Sequence, residues 1–212
     1  MRNHAELNFH TAAMGGGKSI YLLLAEHQLA DKVPTLITKP AQDLKAGTSV
    51  ETRLGGTQRE TDFLIHKDIA LEDAIKQALK IRRRALCAIA VARRPYIFVD
   101  EGQFLQPSHI QEMRALADLD IANFEVYGLR TDFQGNFFPG SEELLKTSDH
   151  VETIKPADVE YLCEREECTR VALYNARFMD GTLTKTGEQV AIDGIDATYQ
   201  ALCSRHFNDM NA

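Results

Sequence analysis

Apolar residues along this chain follow two rhythms, and the switches between them mark the elements. Glu6 to Thr11 reads as a short strand, and the spacing of IYLLLAEHQLA, which follows a glycine cluster, suits a helix of about three turns. Thr35 to Lys39 predicts a second buried strand. Gln42 to Gln58 holds three glycines, three threonines and few core residues, and reads as a mobile loop. From Ala70 to Arg94 a helical pattern runs without Pro or Gly. Pro95 closes it ahead of YIFVD, an apolar run with the length and composition of a central parallel strand. His109 to Asp118 predicts another helix, FEVYGL another buried strand, and Ser141 to Thr147 a short helix after the break at Pro139 and Gly140. Strand and helix alternate as far as Ile154, the pattern of an α/β fold with a parallel sheet. Beyond it come short strands broken by Cys, Gly and Asp, so residues 1–154 are expected to form one domain and 155–212 a second, smaller one.

Composition narrows the function classes. A chain of 212 residues, 44% hydrophobic and 26% charged, has enough apolar material for one core plus a small appendage, which excludes disorder as its main state. No apolar run is long enough to span a bilayer, and MRNHAELNFH lacks the apolar stretch of a signal peptide. A cytoplasmic protein without a membrane partner is expected. The net charge of -7 weighs against a surface built to neutralise nucleic acid, and favours a small metabolite. Lys80, Arg82, Arg83, Arg84, Arg93 and Arg94 do cluster on the long predicted helix. They read as a solvated face whose late cations complement the helix C-terminus.

The glycine cluster carries the first chemistry. Ala12-Ala13-Met14-Gly15-Gly16-Gly17-Lys18-Ser19 fits the phosphate-loop pattern G-x-x-x-x-G-K-[ST] everywhere but its first position, where alanine replaces glycine. In such a loop backbone N–H groups converge on the β- and γ-phosphates, the following helix adds the positive end of its dipole, and small residues permit close approach. Lys18 would neutralise phosphate charge and Ser19 would hold Mg²⁺, which makes ATP the expected nucleotide. The loop needs an acidic partner at the end of a buried strand, and YIFV-Asp100-Glu101 has that form. Successive residues of an extended chain point to opposite sides. Asp100 is therefore assigned to the metal and Glu101 to the acceptor, taking a proton from an attacking hydroxyl or orienting a water.

Four cysteines are too few for a disulfide framework, and three of them fall in the last fifty residues. Cys163-x4-Cys168 and Cys203-x2-His206 supply three thiols and an imidazole in two short pairs, the arrangement of a zinc ribbon. With four protein ligands no position is left for water, so the zinc would be structural and would tie both ends of the lobe together. Cys87, inside the apolar helix, reads as core.

Taken together, AAMGGGKS, KPA at 39–41, TRLG at 52–55, FVDEGQFL, YGLRTDFQGNFFPGS, CEREECTRVALYNARF and Tyr199 leading to CSRHF resemble the zinc-containing thymidine kinase family. The resemblance covers most of the chain. It implies a RecA-like P-loop core with helices on both faces of a parallel sheet, and a small zinc-ribbon lobe whose lasso loop covers a nucleoside. The implied reaction is phosphorylation of the 5′-hydroxyl of thymidine, and of deoxyuridine, by ATP with Mg²⁺ in nucleotide salvage. By the same resemblance Glu101 is the general base, Phe104 walls the base pocket and Met14 lies beneath the nucleoside. Leu129, Phe133 and Phe138 line the thymine pocket, and Tyr174 and Asn175 stand where the family has an aromatic residue followed by threonine. Val190, Ile192, Gly194 and Tyr199 hold the nucleoside from the lasso, Tyr199 being expected in a polar loop. Arg53 would clamp a phosphate. A homotetramer and feedback inhibition by dTTP are also implied. Three departures stand out: Ala12 for glycine, Gly15 for a bulky residue, and the four-residue gap between Cys163 and Cys168.

A reading from another class is a RecA-like ATP-driven module that grips nucleic acid through the zinc lobe and the basic helix. A nucleotide-binding protein without catalysis is a third, disfavoured by the intact Lys18, Ser19, Asp100 and Glu101.

Overall fold

A computed structural model describes residues 4–43, 47–52, 56–82, 93–155, 160–187, 189 and 197–209. Its first half runs β1 (Leu7–Thr11), α1 (Lys18–Ala30), β2 (Thr35–Pro40), β3 (Ser49–Glu51), β4 (Gln58–Glu60), β5 (Phe63–Ile65), α2 (Leu71–Arg82) and β6 (Tyr96–Val99). A tight turn at Gly102–Phe104 leads to α3 (Pro107–Asp118), β7 (Asn123–Gly128), α4 (Pro139–Thr147) and β8 (His150–Thr153). The C-terminal part holds β9 (Tyr174–Met179), β10 (Thr182–Thr184), β11 (Ala197–Leu202) and the short α5 (Ser204–Asn208).

Six strands form one sheet in the order β5-β2-β6-β7-β1-β8, and every neighbouring pair is parallel. Alternate residues divide between its faces. Leu7, Phe9, Leu36, Ile97, Val99, Phe124 and Val126 pack with Ile75 of α2, Met113 of α3 and Leu144 of α4. Their neighbours Ile37, Phe98 and Tyr127 pack with Leu22 of α1. Helices therefore cover both faces, which is why β6 (YIFV) reads as an unbroken apolar run. Beside this sheet lies a second one of three antiparallel strands, ordered β10-β9-β11.

Several elements differ from the sequence reading. The segment expected to be a mobile loop contains an antiparallel ribbon, Ser49 opposite Glu60 and Glu51 opposite Gln58, with Val50 only 1% exposed beneath it. Two adjacent buried residues in one strand and none in the other leave no periodic signal. Edge strands β5 and β8 were not anticipated, and β8 (HVET) is mostly exposed yet pairs in parallel with β1. Pro139 does not precede a break: it opens α4, at a position whose N–H would have no helical partner anyway. The predicted long helix is seen as α2; its continuation, with Cys87, Arg83 and Arg84, lies outside the described residues. Two members of the basic cluster meet acids rather than a free surface: Arg82 pairs with Asp62 at 2.8 Å and Arg94 with Asp120 at 2.9 Å. Among the described residues no helix is long and apolar enough to cross a membrane.

Candidate functional site

The phosphate loop joins the C-terminal end of β1 to α1, in the interior of the sheet. Gly17 takes φ of 80° to turn the chain into the helix, a left-handed conformation that favours glycine. Gly16 N–H closes the turn on the Ala13 carbonyl at 3.1 Å. Lys18 folds back over the loop, its Nζ donating to the Ala13 carbonyl at 3.1 Å, so the cation sits where the loop's amides converge. Ser19 Oγ donates to Asp100 Oδ2 at 3.2 Å. Loop and strand-end acid, 81 positions apart in sequence, thus meet as the reading of the motif required.

Asp100 is 5% exposed, and burial first, then the charge of Glu101, push its carboxyl up to about 7. A carboxylate this poorly solvated is suited to a cation, which would restore the lost solvation. Glu101 follows with φ of 52°, a left-handed conformation rare for a side chain other than glycine, and its N–H donates to Asp100 Oδ1 at 3.0 Å. Its Oε2 accepts from Gln103 Nε2. Gln103, 1% exposed, accepts in turn from Leu129 N–H at 2.9 Å through Oε1. Sequence reasoning missed Gln103, because a buried amide carries no motif and its role appears only when β6 and β7 lie side by side.

A cavity of about 260 Å³ opens beside the loop, lined by Met14, Gly15, Tyr161, Glu164, Tyr199 and Ala201. Of the expected nucleoside contacts, Met14 and Tyr199 face it. Tyr199 stands on β11 opposite Arg177 of β9, not in a polar loop; its exposed position in a short, edge-like strand hid the pairing from sequence. Asn175, 4% exposed, directs its Oδ1 at Met14 N–H, 2.6 Å away, and so joins β9 to the phosphate loop. Phe104 and Phe138 meet edge to face at 5.7 Å between ring centres. Leu129 is held through its N–H by Gln103. The remaining two aromatics are engaged elsewhere: Phe133 is buried under the Arg177 guanidinium, 3.7 Å from its ring centre, and Tyr174 stacks on Phe207 at 4.4 Å. Arg53, Val190, Ile192 and Gly194 lie outside the described residues.

Cys163, Cys168, Cys203 and His206 converge, their ligand atoms all within 4.8 Å of one another. Cys163 Sγ is 3.3 Å from His206 Nδ1, Cys203 Sγ is 3.7 Å from the same nitrogen, and the Sγ atoms of Cys168 and Cys203 are 4.0 Å apart. A tetrahedron with arms of about 2.0–2.3 Å has edges of about 3.3–3.8 Å, so three thiols and an imidazole at these separations fit Zn²⁺ with little movement. The wide gap between the first two cysteines is absorbed by a turn in which Glu167 takes φ of 59° and Cys168 N–H bonds the Arg165 carbonyl at 3.1 Å.

Comparison with known proteins addresses this combination of phosphate loop, acidic strand end and Cys3His cluster. The family model for thymidine kinase matches residues 5–207. A thymidine kinase of Enterobacteria phage T4 is 34% identical over 209 residues, covering 97% of each chain. Thymidine kinases of Agrobacterium fabrum and Idiomarina loihiensis are 33% and 31% identical, with 96% and 97% of this chain covered and the same shares of theirs. On this evidence the chain belongs to the thymidine kinase family.

Proposed function

We propose that this protein phosphorylates the 5′-hydroxyl of thymidine, and of deoxyuridine, with the γ-phosphate of ATP, giving dTMP and ADP in nucleotide salvage. The observation that carries the proposal is the meeting of Ser19 with Asp100 beside the separately held Glu101, in a chain of this family. Amides of residues 12–17 and Lys18 hold the triphosphate. Ser19 and Asp100 would hold Mg²⁺, which would supply neutralisation of phosphate charge. Glu101, its carboxylate held by Gln103, takes the proton of the attacking hydroxyl. Met14 and Tyr199 face the cavity in which the nucleoside lies, and Phe104, Leu129 and Phe138 are assigned to the base pocket by the family resemblance. Asn175 fixes the loop beneath it. Cys163, Cys168, Cys203 and His206 would hold Zn²⁺, which would keep the small lobe in shape. Cytoplasmic location, a homotetramer and inhibition by dTTP complete the reading.

A transfer assay with ATP across nucleosides tests it directly. Turnover should need thymidine and ignore added DNA; ATP hydrolysis stimulated by DNA and indifferent to thymidine would favour the nucleic-acid motor instead.

A further inference from the structure

Two residues of the cavity have no part in the mechanism above. Tyr161 and Glu164 share its lining with Met14 and Gly15 of the phosphate loop. The Tyr161 hydroxyl donates to Glu164 Oε1 at 2.7 Å. Glu164 is fixed to β11 twice, its Oε2 accepting from Ala201 N–H at 3.1 Å and its own N–H donating to the Ala201 carbonyl at 2.9 Å. The same hydroxyl reaches the top of the phosphate loop, 2.7 Å from where a Cβ would stand on Gly15. Position 15 rejects a side chain for this reason and for its φ of 79°. The glycine therefore makes room for an oxygen delivered by the zinc lobe.

That oxygen has a fixed polarity. A phenol has one proton, and once it is given to a carboxylate the oxygen accepts from any further group it meets. The Glu164 carboxylate accepts only. Such a wall repels phosphate, whose oxygens are acceptors bearing negative charge, and suits a ligand N–H or O–H. A volume of about 260 Å³ is just below the usual range of ligand pockets, about 300–1,000 Å³, a size for a compact ligand. A pyrimidine nucleoside offers two such donors, the ring N3–H and the 3′-hydroxyl. We infer that Tyr161, with its proton held by the positioning residue Glu164, determines nucleoside specificity by accepting a hydrogen bond from one of these donors. The inference rests on the kinase reading given above.

Two analogues separate the donors: N3-methylthymidine lacks the first and 3′-deoxythymidine the second. Each is compared with thymidine in the wild-type enzyme, Y161F and E164Q, by kcat/KM. In the wild type one analogue should lose about tenfold or more, the scale of an acceptor covered by the ligand and left without its donor. Y161F should lose a similar factor on thymidine, become indifferent to that analogue, and keep its KM for ATP. E164Q is the sharper arm. Its amide can donate to the phenol oxygen while its carbonyl still accepts from Ala201, turning the tyrosine proton toward the cavity; discrimination should vanish with the ring still in place. Melting temperature and ATP affinity, unchanged in both variants, show that folding is intact. Wild-type indifference to both analogues, or variants that discriminate as the wild type does, overturns the inference. Failure of the wild type to phosphorylate any nucleoside instead overturns the kinase reading, and is seen in the first arm alone.

Discussion

In the parallel sheet Phe9, Phe98, Phe124 and Tyr127 are at most 1% exposed, and three long helices and a ribbon close over them. Among the described residues, the antiparallel sheet beside it gathers only Ala176, Phe178, Leu183, Leu202 and Phe207 into one cluster with the thiols of Cys163 and Cys203, with Ala201 buried apart from it. Apolar burial at about 25 cal/mol per Å² is ample for the first and scant for the second. The small sheet makes up the difference through its Cys3His group and through polar ties to its neighbour, Asn175 to Met14 N–H and Gln134 to the Gly187 carbonyl. In the proposed reading the groups that act on phosphate sit on the parallel sheet, whereas the nucleoside is met from both, by Met14 of the phosphate loop and by Tyr199 of the small sheet.

Metal removal should break this contrast most strongly. Structural zinc in small domains contributes about 10–16 kcal/mol to their folding, so a chelator, or Cys203→Ser, should release zinc, initially about one per chain, and leave amides of β9 and β11 open to hydrogen exchange while those of β1 and β6 stay protected. Loss of protection in both sheets together would show that they are one cooperative unit. Next in size, Phe124→Ala should cost about 3–5 kcal/mol in the denaturant midpoint of the parallel sheet without reducing zinc content. Glu101→Gln should then lower kcat by about 10²–10⁴ with ATP affinity near normal, since the amide keeps the shape and loses the base; a variant above a tenth of wild-type turnover would move the base elsewhere. Smallest, Tyr199→Ala should weaken nucleoside binding by about 1–3 kcal/mol, read as a raised KM at constant kcat, and Tyr199→Phe should cost less. A fall in kcat for Tyr199→Ala would blur the division between the sheets.

What could be read from sequence follows the same boundary. AAMGGGKS, YIFVDE and the two cysteine pairs are local strings whose chemistry needs neighbours along the chain, and the interior strand Tyr96–Val99 announces itself by being apolar on both faces. The ribbon around Val50 and the edge strand His150–Thr153 bury too little to leave a pattern. Gln103, Tyr161 and Glu164 are ordinary polar residues until folding places them against Leu129, Gly15 and Ala201. The polarity of the cavity wall therefore depends on contacts between segments, where a single sequence has no periodicity to show.

The place of β1 in the sheet bears on how the chain assembles. The strand that ends in the phosphate loop precedes the other described strands, yet it pairs with β7 on one side and β8 on the other, at residues 123–128 and 150–153. During synthesis its amides and carbonyls have no sheet partner until most of the chain has emerged, and both pairings close long loops. Refolding should accordingly show secondary structure in the segment from β2 to β6 before any nucleotide-binding competence. A nascent chain truncated before residue 150 would expose one flank of β1, an open parallel edge of the kind that recruits chaperones or another chain.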